Sequence, residues 1–400
     1  TTLFRSIINN KNRPIIIIGG GIGGLTLALA LLQDGHCVRV YEQACELKEV
    51  GAGISLAPNC SKVFQQLGVA EIIARQSSVP ELGELKNGTT GELLSTIPFV
   101  NLKSTFGYPY YQIHRADAHK ILLDAVHRKD SDCIQLNHVF TNYSQTEEEV
   151  TVNFTDQPST IGACVIGCDG IRSAVRAQIT GKQPARFTGF VAWRAIVPAT
   201  QLPASYLVEK SNVRVHHQRQ FVYYPIKSGT ELNVSVFAEQ DWKIESWTEK
   251  ADKNELKALF QNFQQDVVEI IDAINPESCF KWALFDRDPI NCWQDGRVVL
   301  LGDAAHPMLP FLGQGAAMAI EDAWFLAQSL ISFDEIETAF IRYQDARLER
   351  SSWVLSESRA TGKRMGGDDL SPSTFSDDRA MHAQKMFGYD PVAESASAFS

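Results

Sequence analysis

The sequence predicts an α/β protein in which a Rossmann-like, glutathione-reductase-type nucleotide-binding domain is interrupted by a mostly antiparallel β-sheet and followed by a C-terminal helix. Three observations carry this prediction. Residues 13–42 read as strand, glycine turn, helix and second strand ending in an acid. Residues 186–285 change to segments rich in aromatic and β-branched residues, the pattern of antiparallel strands. At Gly296 the text returns to a buried strand, a loop and a helix.

In the first unit, RPIIIIGGGIGGLTLALALLQDGHCVRVYE, the apolar run 15–18 is followed directly by Gly19, Gly21 and Gly24 at G-x-G-x-x-G spacing. Gly19 allows the tight turn, Gly21 lets the backbone approach a pyrophosphate, and Gly24 lets helix and strand pack closely. The helix N-terminus favours negative charge. Glu42, about 20 residues past the turn, is placed to accept hydrogen bonds from a ribose. Residues 14–33 carry no charge and follow Arg5, Lys11 and Arg13, as in a leader or membrane anchor. The glycine-broken run and the acid at the right place favour a dinucleotide site, without separating FAD from NAD.

Composition narrows the class. Four hundred residues at 44% hydrophobic content suffice for a large core and two or three domains. A net charge of -10 without a lysine or arginine run argues against nucleic acid and anionic membrane surfaces. Eight scattered cysteines indicate a reducing cytoplasm rather than a disulfide framework. Cys164 and Cys168 read as buried thiols, not a redox pair. No membrane insertion is expected, and the chain is expected to be a monomer or homodimer.

Further along, Gly51 and Gly53 precede a short strand and let backbone approach a flat ring, or form an ordinary turn. A helix follows to about Leu67. Arg115, in HRAD, stands before a helix whose apolar positions 118, 121, 122 and 125 lie at helical spacing; it is either a phosphate ligand or a solvated arginine. A strand at 163–167 delivers Asp169 and Gly170 into a turn, with a helix from about Ser173. One helix is predicted over 253–271. Asp303 ends the strand at 297–301, and Gly313 to Gly315 open a helix to about Leu330. The expected domains are a discontinuous nucleotide-binding domain (1–80, 105–185, 286–332), a substrate domain (81–104, 186–285), a C-terminal helix (333–365) and an irregular tail (366–400).

Together, the G-x-G-x-x-G with Glu42, Cys168-Asp169-Gly170 and Gly302-Asp303 resemble the class A, single-component FAD-dependent aromatic hydroxylases. GAGISLAPN, HRAD, GCDGIRSAVR and GDAAHPMLPFLGQGAAMAIEDA resemble the salicylate hydroxylase, 3-hydroxybenzoate 6-hydroxylase and 6-hydroxynicotinate 3-monooxygenase branch. The resemblance spans nearly the entire chain. It implies bound FAD, NADH or NADPH as co-substrate, and O2 activated as a C4a-hydroperoxyflavin that hydroxylates a phenolic or heteroaromatic acid, salicylate-like in this branch. It implies that Glu42 and Gln43 serve the adenosine side together with the Val139 backbone, and that Arg115 serves the phosphate and ribityl region. Asp303 would bind ribityl or pyrophosphate oxygens, Gly315 and Ala316 amides would face the flavin ring, and Asp169 would assist both nucleotides. No second strand, G-x-G-x-x-G and helix unit is present for the nicotinamide, which also argues against a disulfide reductase.

On the substrate side the resemblance selects Tyr224, in FVYYP, as the catalytic contact. Around it stand departures from that branch, with Gln220 and Ser55 where relatives carry histidine, and Pro310 and Phe311 where some carry Gln or His. His216 is the remaining imidazole candidate, with His217 beside it on the same strand. Arg194, in AWRAI, is a carboxylate partner or an ordinary strand arginine. The apolar Pro310-Phe311 pair admits a rival substrate, a larger polycyclic or isoprenoid compound. A non-catalytic flavin-fold binding protein is the rival of another class.

Overall fold

Four consecutive isoleucines, Ile15–Ile18, form the centre of the first sheet, and all four are buried because helices pack on one face and the three-stranded sheet Val139–Gln145, Val150–Thr155 and Thr160–Gly162 on the other. The computed structural model describes residues 13–47, 52–244, 249–367, 370–375 and 379–400. Six strands run in the order Gln294–Asp295, Val298–Leu300, Cys164–Gly167, Ile15–Ile18, Val38–Tyr41 and Ile134–Gln135. All are parallel except the edge pair 294–295 and 298–300. The turn after the central strand requires glycine twice. Gly19 has φ +110°, and a Cβ on Gly24 would lie 2.1 Å from the Gly19 carbonyl oxygen. The helix Ile22–Gln33 can therefore press onto its own strand, as the spacing predicts.

The second sheet has seven strands, in the order Phe280–Asp286, Arg186–Pro198, Glu231–Glu239, Arg219–Ile226, Lys210–His216, Leu82–Asn87 and Leu93–Ile97. Only the pair 210–216 with 82–87 is parallel. Strand alternation divides its faces. Arg214 and Tyr223 point to one side, where both meet Asp266 of the helix Gln265–Ala273. Gln220, Val222 and Tyr224 point to the other. A two-stranded ladder, Gly53–Leu56 with Tyr111–His114, meets that side. The Gly53 N–H donates to Asn233 Oδ1 at 2.6 Å and hooks the ladder to the large sheet.

Two predicted elements differ. The helix expected over 253–271 is two helices, Lys253–Phe260 and Gln265–Ala273. Phe263 leaves the helical path to pack over Gly88, whose carbonyl accepts the Gln264 N–H at 2.7 Å. The tail expected to be irregular carries the helices Arg379–Phe387 and Pro391–Ala398. Asp390 caps the second through the Val392 and Ala393 N–H groups, and Pro391 suits its first position. Tyr389 lies with its ring 3.6 Å from the Arg350 guanidinium, and Phe399 packs on Phe325 and Phe333. Aromatic anchors, which outweigh the polar composition of the segment, fix the tail to the body. Among the described residues no helix is long and apolar enough to cross a membrane, and no group of His, Cys, Asp or Glu is arranged to hold a metal.

Candidate active site

A single cavity of about 1270 Å³ runs from the glycine turn to the large sheet. At its first end the wall contains Gly19, Gly21, Glu42, Gln43 and Val139. Glu42 is held at the turn, its Oε2 accepting the Gly20 N–H at 2.8 Å and its Oε1 the Ala44 N–H at 2.9 Å. Nothing lies within 4 Å of a Cβ built on Gly21, so this backbone is open to a ligand. Gly24 stands behind the wall, filled by Gly19. Gly51 lies outside the described residues.

The middle of the cavity carries Arg115, Asp169, Asp303, Gly315 and Ala316. Arg115 opens the helix Arg115–Lys129, with its N–H on the Ala52 carbonyl. Asp169 Oδ2 accepts the Ala174 and Val175 N–H groups at 2.7 and 3.1 Å, while its buried Oδ1 has no partner among the described residues. Asp303 is open to the cavity. The surrounding walls push its carboxyl pKa up, opposed by the positive fields of His306, Arg115 and Arg176. Gly315 and Ala316 begin the helix Gly315–Ser332, whose first amides have no intrahelical acceptor. That N-terminus is braced from behind. Gln314 Oε1 and Glu321 Oε1 both accept from Asn59 Nδ2, and Arg347 and Arg350 pair with Glu321 at 2.8 and 2.7 Å.

At the sheet end, Tyr224, Ser55, Gln220, Pro310 and Phe311 line the cavity together. Ser55 faces the hydroxyls of both Tyr110 and Tyr224 across the cavity wall. Burial pushes the Tyr110 phenol up to about 12 and that of Tyr224 still further above its ordinary range, against the opposing pull of the neighbouring Ser55. A Cβ on Gly53 would stand 2.7 Å from the Tyr224 hydroxyl oxygen, which explains glycine there. Gln220 is 1% exposed, and its Nε2 has no partner among the described residues. Phe311 packs edge-on against Phe190 and Phe237.

Two candidates are corrected. His216 lies off the cavity on the opposite face of its strand, its ring against His217 and Phe263, because Ser211 and Val213 take the cavity side. Arg194 is buried beside the cavity but does not line it; its guanidinium lies 5.1 Å from the Trp282 ring and 5.7 Å from that of Phe280. Sequence reasoning missed Tyr110, whose hydroxyl faces Ser55 as that of Tyr224 does. It also missed Glu357, Arg364 and His382, which reach the cavity from the last helices.

With this geometry in place, comparison with known proteins is decisive. The family model described as "FAD binding domain" matches residues 12–355. The chain belongs to the class A flavin monooxygenases. It is 37% identical over 357 residues to the 3-amino-4-hydroxybenzoate 2-monooxygenase PtnB3 of Streptomyces platensis, covering 88% of this chain and 89% of that one. It is 35% identical over 358 residues to the 3-hydroxybenzoate 6-hydroxylase of Polaromonas naphthalenivorans, covering 89% and 88%. Klebsiella pneumoniae HpxO, solved with FAD and uric acid, superposes with a TM-score of 0.83 at 25% identity over 98% of this chain and 97% of that one. The protein is thus an FAD-dependent aromatic monooxygenase of the α/β fold that the motifs predict.

The residues present fit the flavin nucleotide. The open Gly21 backbone, the unpartnered Asp169 oxygen and the free amides at Gly315 and Ala316 supply a cradle, a polar acceptor and donors along one cavity.

Proposed function

We propose that this monooxygenase uses NADH or NADPH and O2 to hydroxylate a phenolic or heteroaromatic acid, salicylate-like by its nearest resemblance. The observation that carries the reading is Gln220 Nε2, buried, without a partner among the described residues and on the wall of the same cavity as Tyr110, Ser55 and Tyr224. A buried donor left unpaired costs roughly 1–3 kcal/mol, so a ligand acceptor is its natural complement. Glu42, Gln43 and Val139 hold the adenosine side, Arg115 and Asp303 the phosphate and ribityl region, and Gly315 and Ala316 the ring.

Bound FAD supplies the redox chemistry, taking a hydride equivalent from the nicotinamide and activating oxygen. The chain's own task is to orient and activate the aromatic ring. Gln220 Nε2 donates to the substrate's ring oxygen and stabilises its phenolate form. Tyr224, held protonated by burial, acts as a hydrogen-bond donor and not as a base; Ser55 fixes its direction. Pro310, Phe311 and Phe237 keep water from the ring. With Gln220 and Ser55 at the wall, neither position offers an imidazole to take the phenol proton. The substrate is bound as the phenolate, its proton released to bulk water before the site closes, and Gln220 holds that form in place of a histidine base.

The test is the flavin absorbance of the purified protein, followed by NADH and NADPH oxidation with a panel of hydroxybenzoates and hydroxypyridine acids. Stimulation by one member, with a product heavier by one oxygen, upholds the reading. Bound FAD without stimulation by any aromatic acid overturns it. That outcome favours the larger polycyclic or isoprenoid substrate, a reading to which the apolar walls Ile97, Phe99, Met365 and Met386 lend weight.

A further inference from the structure

The family match ends at residue 355, yet the cavity wall continues beyond it. Arg364 and Met365, in the last turn of the helix Ile336–Gly366, and His382 and Met386, on the helix Arg379–Phe387, also line the cavity. This second helix is fixed in place. Arg350 Nη1 and Nη2 donate to the Lys385 and Met386 carbonyls at 2.9 and 3.2 Å, and Lys62 Nζ donates to the Tyr389 carbonyl at 3.2 Å. Within this stretch of the wall three polar groups meet. His382 Nε2 lies 3.4 Å from Glu357 Oε2, and Arg364 Nη2 lies 3.8 Å from the same oxygen. The latter distance is an ion pair without a hydrogen bond. Among the described residues Arg364 makes one hydrogen bond, to Thr361 Oγ1 at 3.1 Å, which leaves its planar fork with donors to offer the cavity.

A guanidinium fork matches a carboxylate in two parallel hydrogen bonds. We propose that Arg364 receives the carboxylate of the aromatic substrate and that the helix Arg379–Phe387, with His382 holding Glu357 aside, forms the wall that limits the ligand's size. Specificity for the acid then resides in the part of the chain that follows the family match. Arg194, the arginine that the sequence suggested for this role, does not reach the cavity. The inference rests on the reading of the cavity as an aromatic-acid site, and it names the residue that reads the acid.

Isothermal titration of the FAD-loaded protein with salicylate and salicylamide, and with 3-hydroxybenzoate and 3-hydroxybenzamide, separates the carboxylate from the ring. The wild-type protein is expected to bind the acid of at least one pair about tenfold or more tighter than its amide. Arg364→Gln should abolish that preference by weakening the acid alone, Arg364→Lys should restore part of it, and FAD content should not change. An acid preference of the same size in wild type and Arg364→Gln, or no preference in the wild type, overturns the proposal. Product mass on the wild type is read separately. Acid binding that follows Arg364 without an oxygenated product overturns the hydroxylation and upholds the carboxylate site.

Discussion

His306 Nε2 lies 2.5 Å from Asp322 Oδ2, and both side chains are sealed from solvent. The pair ties the loop after Gly302 to the helix Gly315–Ser332, and Asp322 also accepts the Gly302 N–H and pairs with Arg347 at 2.7 Å. His306 is thus a structural residue of the loop that carries Asp303. Burial alone would raise the Asp322 carboxyl pKa, but the positive fields of His306 and Arg347 win and lower it to about 2.

This shift is a pH-dependent stability term. Because Asp322 titrates lower in the folded chain than in the unfolded one, its contribution is fully present above about pH 4 and is lost as pH falls towards 2. The size is on the order of 2 kcal/mol. Asp322→Asn should remove this term and, by leaving Arg347 short of a partner, destabilise the fold by roughly 3–5 kcal/mol. Denaturant melts between pH 7 and 3 check it; an unchanged midpoint at pH 7 would refute the role of the pair.

Asp303→Ala should lower the FAD content of the purified protein while the far-ultraviolet spectrum stays unchanged. Asp303 is open to the cavity and flanked by Arg115 and Arg176, and no described ion pair depends on its carboxylate. Absorbance at the flavin band against that at the protein band measures it, and full occupancy would remove Asp303 from the nucleotide site.

The nucleotide end was legible because its chemistry is local. The turn needs Gly19 for its φ and Gly24 for lack of a Cβ, and both constraints sit within six residues. The cavity side of the large sheet was only half legible. Alternation puts Gln220 and Tyr224 on one face wherever the strand lies, but the face of His216 depends on pairing register and on the hairpin at His217 and Gln218, both at positive φ. Arg364 and His382 gave no signal at all. They meet through Glu357 only after two helices pack, and polar composition concealed the aromatic anchors that hold the tail.

Gln220→Leu should weaken substrate binding by about tenfold without changing FAD content, since it removes a donor worth about one charge-assisted hydrogen bond and little volume. Substrate titrations followed through the flavin spectrum supply the measurement. A Leu variant that binds as tightly as wild type would show that the Gln220 amide has no ligand partner.

Tyr224→Phe should slow substrate-stimulated NAD(P)H oxidation about tenfold or more while leaving FAD binding intact, because the lost hydroxyl faces Ser55 and the cavity but no group of the nucleotide end. The pH profile distinguishes its role. Burial keeps the Tyr224 phenol protonated throughout the working range, so the variant should lose rate at every pH and keep the shape of the wild-type curve. Were Tyr224 instead the base that takes the ring proton, its removal would erase the corresponding limb of the profile. Ser55→Ala provides the second half of the argument. It leaves the phenol in place but removes the group that aims it, so its rate should fall between those of wild type and Tyr224→Phe. A Ser55→Ala protein with wild-type kcat and KM would mean that these hydroxyls do not orient the substrate.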